Sequence, residues 1–335
     1  MRIAVDAMGG DNAPEAIVAG VIDAAKMLKD LEIILVGKEE LIRKEMMKYS
    51  GIDKLPISIE DAPEVIEMSE SPGVALRAKK KSSIVICARL VKEKKAHGIV
   101  SAGNTGAVMG ATLVSMGRLK GILRPAIAAI IPNFTGGITL LLDVGANVDC
   151  KAKHLFQFAI MGHVYSNHIF GIENPRIGLL SIGEEESKGN SVTTKAFAML
   201  SKSSLNFCGN AEGRDIVSGA FNVVVCDGFV GNVVLKFGEN LAEGILKFLK
   251  RELSSTMFLK LGAYLSKPVF KKFKKLVDYS EYGGAPLLGV NGVAIVCHGS
   301  SSAKAIKNGV RVASEFIRFN VNTHIEQMIH KENIC

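Results

Sequence analysis

Residues 100–110 read VSAGNTGAVMG: an apolar run breaks into Ser101, Ala102, Gly103, Asn104, Thr105 and Gly106, then turns apolar again. The stretch holds no cysteine, histidine or carboxylate, so it encodes neither metal ligation nor a side-chain nucleophile with its base. It offers backbone N–H groups, small hydroxyls and an amide, an inventory that suits an anion. The spacing is neither G-x-G-x-x-G nor G-x-x-x-x-G-K-[ST]. What remains is a glycine-rich turn opening a helix near Asn104 or Thr105. N–H groups and the helix dipole at such a terminus favour phosphate, while a side-chain cap by Asn104 or Thr105 accounts for the same residues.

Loops of this kind recur. GEEESKGN places Lys188 among three glutamates, before Gly189 and Asn190. A lysine there either neutralises an anionic reactant or is a solvated partner of a glutamate. LLDVGAN and CDGFVGN repeat one shape, an aspartate, a small loop and an asparagine. Asp143 and Asp227 read as holders of backbone N–H groups, Asn147 and Asn232 as donors to a developing oxyanion or as caps. CHGSSS sets His298 before a hydroxyl-rich helix start, where it is either structural or a proton donor. Cys208, Cys226 and Cys297 adjoin such loops without a dedicated base beyond His298, and read as small buried hydrophobes.

The elements that must carry these loops are legible as a series. Apolar, β-branched runs end in small polar loops and are followed by helical patterns: RIAVDAMGGD and then APEAIVAGVIDAAKML with Pro14 near its first turn, EIILVG, HGIVSAGNTG, ITLLLDVGAN, RIGLLSIGEEESKGN, NFCGNAEGRD, FNVVVCDGFVGN and GVAIVCHGSSS. Continuous apolar strands alternating with helices predict a mostly parallel sheet covered on both faces. RPAIAAIIP and ITLLLD, joined by NFTGG, predict a hairpin and therefore a partly mixed sheet. No linker divides the 335 residues, which read as one α/β domain, 1–335. Ligands of such sheets bind beyond the carboxyl ends of the strands. Asp6, Asn104, Asn147, Lys188, Asn210, Asn232 and His298 occupy those ends, and the expectation is one shared rim.

Composition narrows the classes. No apolar run is long enough to span a bilayer, and MRIAVDAMGGD reaches an acidic loop too soon for a secretory leader, which predicts a cytoplasmic protein. Six cysteines without a C-x-x-C pair argue against a zinc site or a disulfide framework. Absent tryptophan and five tyrosines disfavour stacking on nucleic acid. Nine basic residues against Glu252 alone fall between 247 and 275, which is the whole formal net charge of +8. Within that insertion, about 247–277, Phe258, Leu261, Tyr264 and Leu265, then Phe270, Phe273 and Leu276, recur at helical spacing between Lys260, Lys271 and Lys274. Pro268 predicts a break into two helices. A basic amphipathic helix fits an anionic membrane surface; a dimer or core helix with a solvated lysine face fits the same pattern.

Taken in order, MRIAVDAMGGD, SAGNTGA, LLDVGANVD, KGN, DGFVGNV, YGGAPLLG and HGSS resemble the bacterial phosphate acyltransferases of phospholipid synthesis, from Met1 to about Ser302. The resemblance implies transfer of a fatty acyl group from acyl-[acyl carrier protein] to inorganic phosphate, giving acyl phosphate. It also implies a three-layer α/β/α sandwich, Rossmann-like and related to isocitrate and isopropylmalate dehydrogenases and to phosphotransacetylases, and a homodimer. The enzyme would work without cofactor or metal at the inner face of the cell membrane and pass its product to a membrane glycerol-3-phosphate acyltransferase.

That chemistry suits the residues. Phosphate is already an anion, so it attacks a thioester without a strong base, and the protein positions reactants and stabilises the oxyanion. On this reading Asp6, Ser101, Asn104, Thr105 and Gly106 hold phosphate and Lys188 neutralises it. Asn147 and Asn232 position or donate, and His298 protonates the leaving thiolate. The basic helices, or Arg77 and Lys79 in RAKKKSS, contact lipid or the acidic carrier. Two rivals remain at this level: a nicotinamide-dependent dehydrogenase of the isopropylmalate type, and a non-catalytic lipid-surface adaptor.

Overall fold

The computed structural model describes residues 1–332, less the side chains of 274–277 and 279. The expectations placed on the side chains of Lys274 and Leu276 therefore lie outside the described residues. Eleven strands form one sheet: β1 (Arg2–Asp6), β2 (Glu32–Gly37), β3 (Ile57–Asp61), β4 (Gly98–Ser101), β5 (Ala126–Pro132), β6 (Ile138–Leu142), β7 (Ile177–Leu180), β8 (Phe207–Ala211), β9 (Val223–Val225), β10 (Ala285–Leu288) and β11 (Val293–Val296). Their order is β3-β2-β1-β4-β11-β10-β5-β6-β9-β7-β8. The central strands are buried along nearly their whole length, as continuous Val/Ile/Leu runs require when helices cover both faces.

The helices are α1 (Glu15–Met27), α2 (Glu39–Met46), α3 (Pro72–Ala78), α4 (Ser83–Lys92), α5 (Thr105–Ser115), α6 (Ala152–Phe170), α7 (Ser191–Leu200), α8 (Asp215–Ser218), α9 (Gly228–Leu253), α10 (Met257–Leu265), α11 (Lys267–Val277), α12 (Ala303–Arg318) and α13 (Val321–Lys331). One apolar layer joins the sheet to α1, α6, α12 and α13 through Val21, Phe158, Tyr165, Ile306 and Phe316. The other joins it to α4 and α5 through Ile86, Leu90, Ala107 and Val108. The α/β/α sandwich with a mostly parallel, partly mixed sheet is thus present. Pro14 precedes α1, and β5 and β6 form the expected hairpin. The hairpin loop is closed by Asn133, whose Oδ1 accepts from Gly137 N at 2.8 Å and Thr135 Oγ1 at 2.8 Å.

The single rim is corrected by the strand directions. β3, β2, β1, β4 and β11 are mutually parallel. β10 runs against both β11 and β5, and β5 runs against β6. β6, β9, β7 and β8 are again parallel to one another. Three consecutive antiparallel pairings therefore leave the two halves pointing in opposite directions. Asp6, Asn104 and His298 stand on one rim. Asn147, Lys188, Asn210 and Asn232 stand on the other.

Candidate active site

At the first rim, the turns after β1 and β4 interlock. Ser101 Oγ donates to Asp6 Oδ2 at 2.7 Å and accepts from Gly103 N at 3.0 Å; Asp6 Oδ1 accepts from Met8 N. A Cβ on Gly9 would lie 2.5 Å from Asp6 Oδ2 and 2.7 Å from Gly103 N, so only glycine lets the turns approach this closely. Burial raises the Asp6 carboxyl above its ordinary value against the pull of Ser101 and the neighbouring donors. The void among these residues is about 10 Å³, on the scale of one water and too small for phosphate. Asp6 and Ser101 are committed to each other, and what they do is hold the turn that starts α5.

Asn104 caps α5. Its Oδ1 accepts from Ala107 N at 3.1 Å, and its Nδ2 donates to Met68 O and Glu70 O. The capping alternative therefore describes its side chain. Thr105 and Gly106, the first residues of α5, open instead into a groove of about 400 Å³. A Cβ on Gly106 would meet Pro72 Cγ at 2.6 Å, which ties its size to the packing of α3. His298 lines the same groove; its Nδ1 lies 2.8 Å from Ser300 Oγ and accepts from Ser300 N. The groove crosses the sheet face over β5 and β10 and is walled by α5 and α9, ending at Val144, Gly145 and Asn232. Of the expected site residues, Thr105, Gly106, Asn232 and His298 thus share one cavity, although Asn232 stands by Gly145 at the other rim.

The second rim is organised by Asp143. Its carboxylate accepts from the backbone N–H of Ile127, Gly145, Ala146 and Asn147, and from Asn147 Nδ2 at 2.8 Å. Burial raises this carboxyl, and those donors oppose the rise. Asn147 Nδ2 also donates to Pro125 O at 2.7 Å, and the residue is buried. The amide is committed, so Asn147 braces the loop and has no donor left for an oxyanion. Asp227 caps α9 by accepting from Val230 N, and Gly228 N donates to Asn147 O. Asp143 and Asp227 are N–H holders, as their spacing predicted.

Lys188 is exposed in the loop after β7, where its carbonyl accepts from Ser181 Oγ. It lines neither the groove nor the smaller cavity of about 160 Å³ formed by Ser181, Gly189, Asn190 and Asp227. The lysine that lines the groove is Lys236, paired with Glu239 at 2.8 Å. Lys79 donates to Glu70 at 2.6 Å and to Val65 O, and this bond lowers the Glu70 carboxyl. Arg77 is exposed. A larger cavity, about 480 Å³, lies at the amino-terminal ends of β4 and β11 among Lys92, His97, Asn291 and Asn322, away from the strand-end loops.

Four of the thiols are held unreactive by their surroundings, whereas Cys208 is exposed rather than buried as expected, because β8 is an edge strand of the sheet. Burial pushes Cys297 and Cys150 up to about 12 and Cys226 and Cys87 well above their ordinary value. Motif reading missed Ile127, Ala129 and Leu235, which line the groove with Met109 and Tyr282 of the quoted motifs. These three carry no polar signature, and only the strand order brings them together.

The basic insertion breaks at Pro268 into α10 and α11, as predicted. Phe258 is 83% exposed, Lys260 and Lys271 are exposed, and Phe273 is half-buried. The insertion also takes in the end of the preceding helix, α9, with Lys247, Lys250 and Arg251. That helix carries Val230, Val234, Phe237, Leu241, Gly244 and Phe248 at spacings of four, three, four, three and four, a heptad seam readable in the sequence. Most of its apolar side chains face outward.

Sheet order and the two helical layers define a three-layer α/β/α fold. The phosphotransacetylase of Streptococcus pyogenes superposes with a TM-score of 0.60 at 20% identity, covering 98% of this chain and 94% of that one. A 4-hydroxythreonine-4-phosphate dehydrogenase of Klebsiella pneumoniae gives 0.52 at 12% identity, covering 93% and 96%. At these identities the likeness is one of fold. The sequence goes further: the profile of the family described as fatty acid synthesis protein matches residues 1–324, and the chain belongs to that family. The phosphate acyltransferase of Pelotomaculum thermopropionicum is 56% identical over 317 residues, 95% of this chain and 92% of its own. That of Heliobacterium modesticaldum is 53% identical, with 98% of each chain covered.

Proposed function

We propose that the protein transfers a fatty acyl group from the thioester of an acyl carrier protein to inorganic phosphate. The observation that carries the reading is the groove: its polar end joins the N-terminus of α5, at Thr105 and Gly106, to His298, and the rest of its lining is largely apolar apart from the Lys236–Glu239 pair. A phosphate oxygen held at the helix terminus, where N–H groups lack intrahelical partners, attacks the thioester carbon. The C–O bond forms, the C–S bond breaks, and His298 gives a proton to the departing thiolate. Phosphate itself is the nucleophile, which agrees with the one thiol that lines the groove, Cys297, being pushed up to about 12 by burial. Asp6, Ser101 and Asn104 position the α5 terminus, and Asp143 and Asn147 position the opposite rim. Lys188 stays outside this scheme.

The homodimer is supported by the outward seam of α9, and membrane attachment by the exposed Phe258, Leu261 and Tyr264 among lysines. No helix among the described residues is long and apolar enough to cross a membrane, so attachment would be at the surface.

Incubation with palmitoyl-carrier protein and radiolabelled phosphate tests the activity. The expected result is labelled acyl phosphate and free carrier thiol in equal amounts. Thioester hydrolysis without label transfer, or reduction of a nicotinamide cofactor by a hydroxy acid instead, would overturn it. His298→Gln is expected to lower kcat by roughly 10²–10⁴-fold.

A further inference from the structure

The cavity of about 480 Å³ at the amino-terminal ends of β4 and β11 lies in the size range of small-molecule pockets, about 300–1,000 Å³. It is separate from the groove. Helix α5 begins in the groove at Thr105 and ends at the cavity at Ser115, about 15 Å away at ~1.5 Å per residue.

The charge on its lining has one sign. Lys92 and Lys94 line it, and no aspartate or glutamate does. Glu93, between them in sequence, is taken by Lys95 at 2.8 Å and Arg89 at 3.8 Å. Neither Lys92 nor Lys94 has a carboxylate partner among the described residues. Lys94 stands at φ +58°, a left-handed backbone that glycine or asparagine adopts at lower cost. His97 Nδ1 accepts from Arg2 N at 3.0 Å, so the neutral ring carries its proton on Nε2 and keeps a donor.

The start of α13 adds to this. No side chain caps it and its first turn holds no acid, while the N–H groups of Val321 and Asn322 lack intrahelical partners. Asn322 Nδ2 donates to Val290 O and Gly292 O, which ties this helix start to the β10–β11 turn. Behind the polar residues the wall is apolar, with Met116, Val293 and Phe316 buried.

We propose that this cavity is a second ligand site, for a small organic phosphomonoester. Its phosphate meets Lys92, Lys94 and the α13 terminus, and its body lies against the apolar wall. A phosphomonoester carries about −1.5 to −2 charge near neutrality and three acceptor oxygens, which matches two lysines and the donors beside them. A carboxylate, with one charge, would leave one lysine uncompensated.

Isothermal titration of the full chain with phenyl phosphate and AMP, with benzoate as the control, tests the site. Both esters are expected to bind, and more tightly than benzoate. Lys92→Ala with Lys94→Gly is expected to weaken both about tenfold or more. Lys92 is exposed and glycine suits the backbone at 94, so the double variant is expected to keep the wild-type unfolding midpoint. Binding of phosphate in the groove would survive this substitution, so esters that bind the folded double variant as well as wild type overturn the proposal. So does the absence of ester binding by wild type, or binding no tighter than that of benzoate.

Discussion

Asp6 shows how a residue singled out for chemistry turns out to serve geometry. Its carboxyl is enclosed by Ser101, Met8 and Gly9, and burial outweighs the hydrogen bonds in raising it. A carboxyl whose folded value is raised contributes its stability in full below the unfolded value, and that contribution is lost as pH climbs through the folded value. Asp6→Asn has no such titration. The stability advantage of wild type over Asp6→Asn in urea is therefore expected to shrink as pH rises from about 4 toward neutrality, then level off. A gap that widened with pH would mean that the hydrogen bonds win over burial. The aspartate–loop–asparagine repeats were legible as N–H holders because a short acidic side chain before glycine is a local device. That Asn147 is committed to Pro125 O, on a segment far away in the chain, was not legible.

At the scale of elements, α9 is the informative piece. Its 26 residues extend about 39 Å at ~1.5 Å each, yet only Gly228 and Gly231 are buried. A Cβ on Gly231 would lie 1.9 Å from Asp143 O, so the helix start is pressed onto the loop after β6. Gly231→Ala is expected to cost about 1–3 kcal/mol, read as a lowered unfolding midpoint. Gly238, with nothing within 4 Å, sets the opposite sign: Gly238→Ala is expected to stabilise by roughly 0.5–1 kcal/mol. In the proposed dimer the seam beyond it packs against a partner helix. In sedimentation velocity, Phe237→Glu with Leu241→Glu is expected to shift the protein from dimer to monomer; an unchanged dimer would place the interface elsewhere. The seam is local in sequence and readable by its period, whereas the anchoring of α9 through two glycines depends on a loop some eighty residues earlier.

At the scale of the whole molecule, the charge and the exposed aromatic residues coincide on one arm, α10 and α11. Vesicles with and without anionic lipid separate its roles. Sedimentation with anionic vesicles is expected, weakening as salt screens the lysines, and Phe258→Ser with Leu261→Ser is expected to abolish it while the dimer persists. Binding that ignored lipid charge and both substitutions would remove the membrane role from this arm.

Local order in the sequence determined nine of the eleven strands, all but β3 and β10, the alternation of strands with helices, the β5–β6 hairpin, the break at Pro268 and the kind of residue at each strand end, because apolar period and turn chemistry act over a few neighbours. The direction of each strand was decided only by tertiary pairing. Three antiparallel contacts at β11, β10, β5 and β6 reverse half the sheet, divide the polar loops between two rims, and lay a groove between them. Such pairing depends on how segments far apart in the chain bury one another's faces, and no short stretch carries that information.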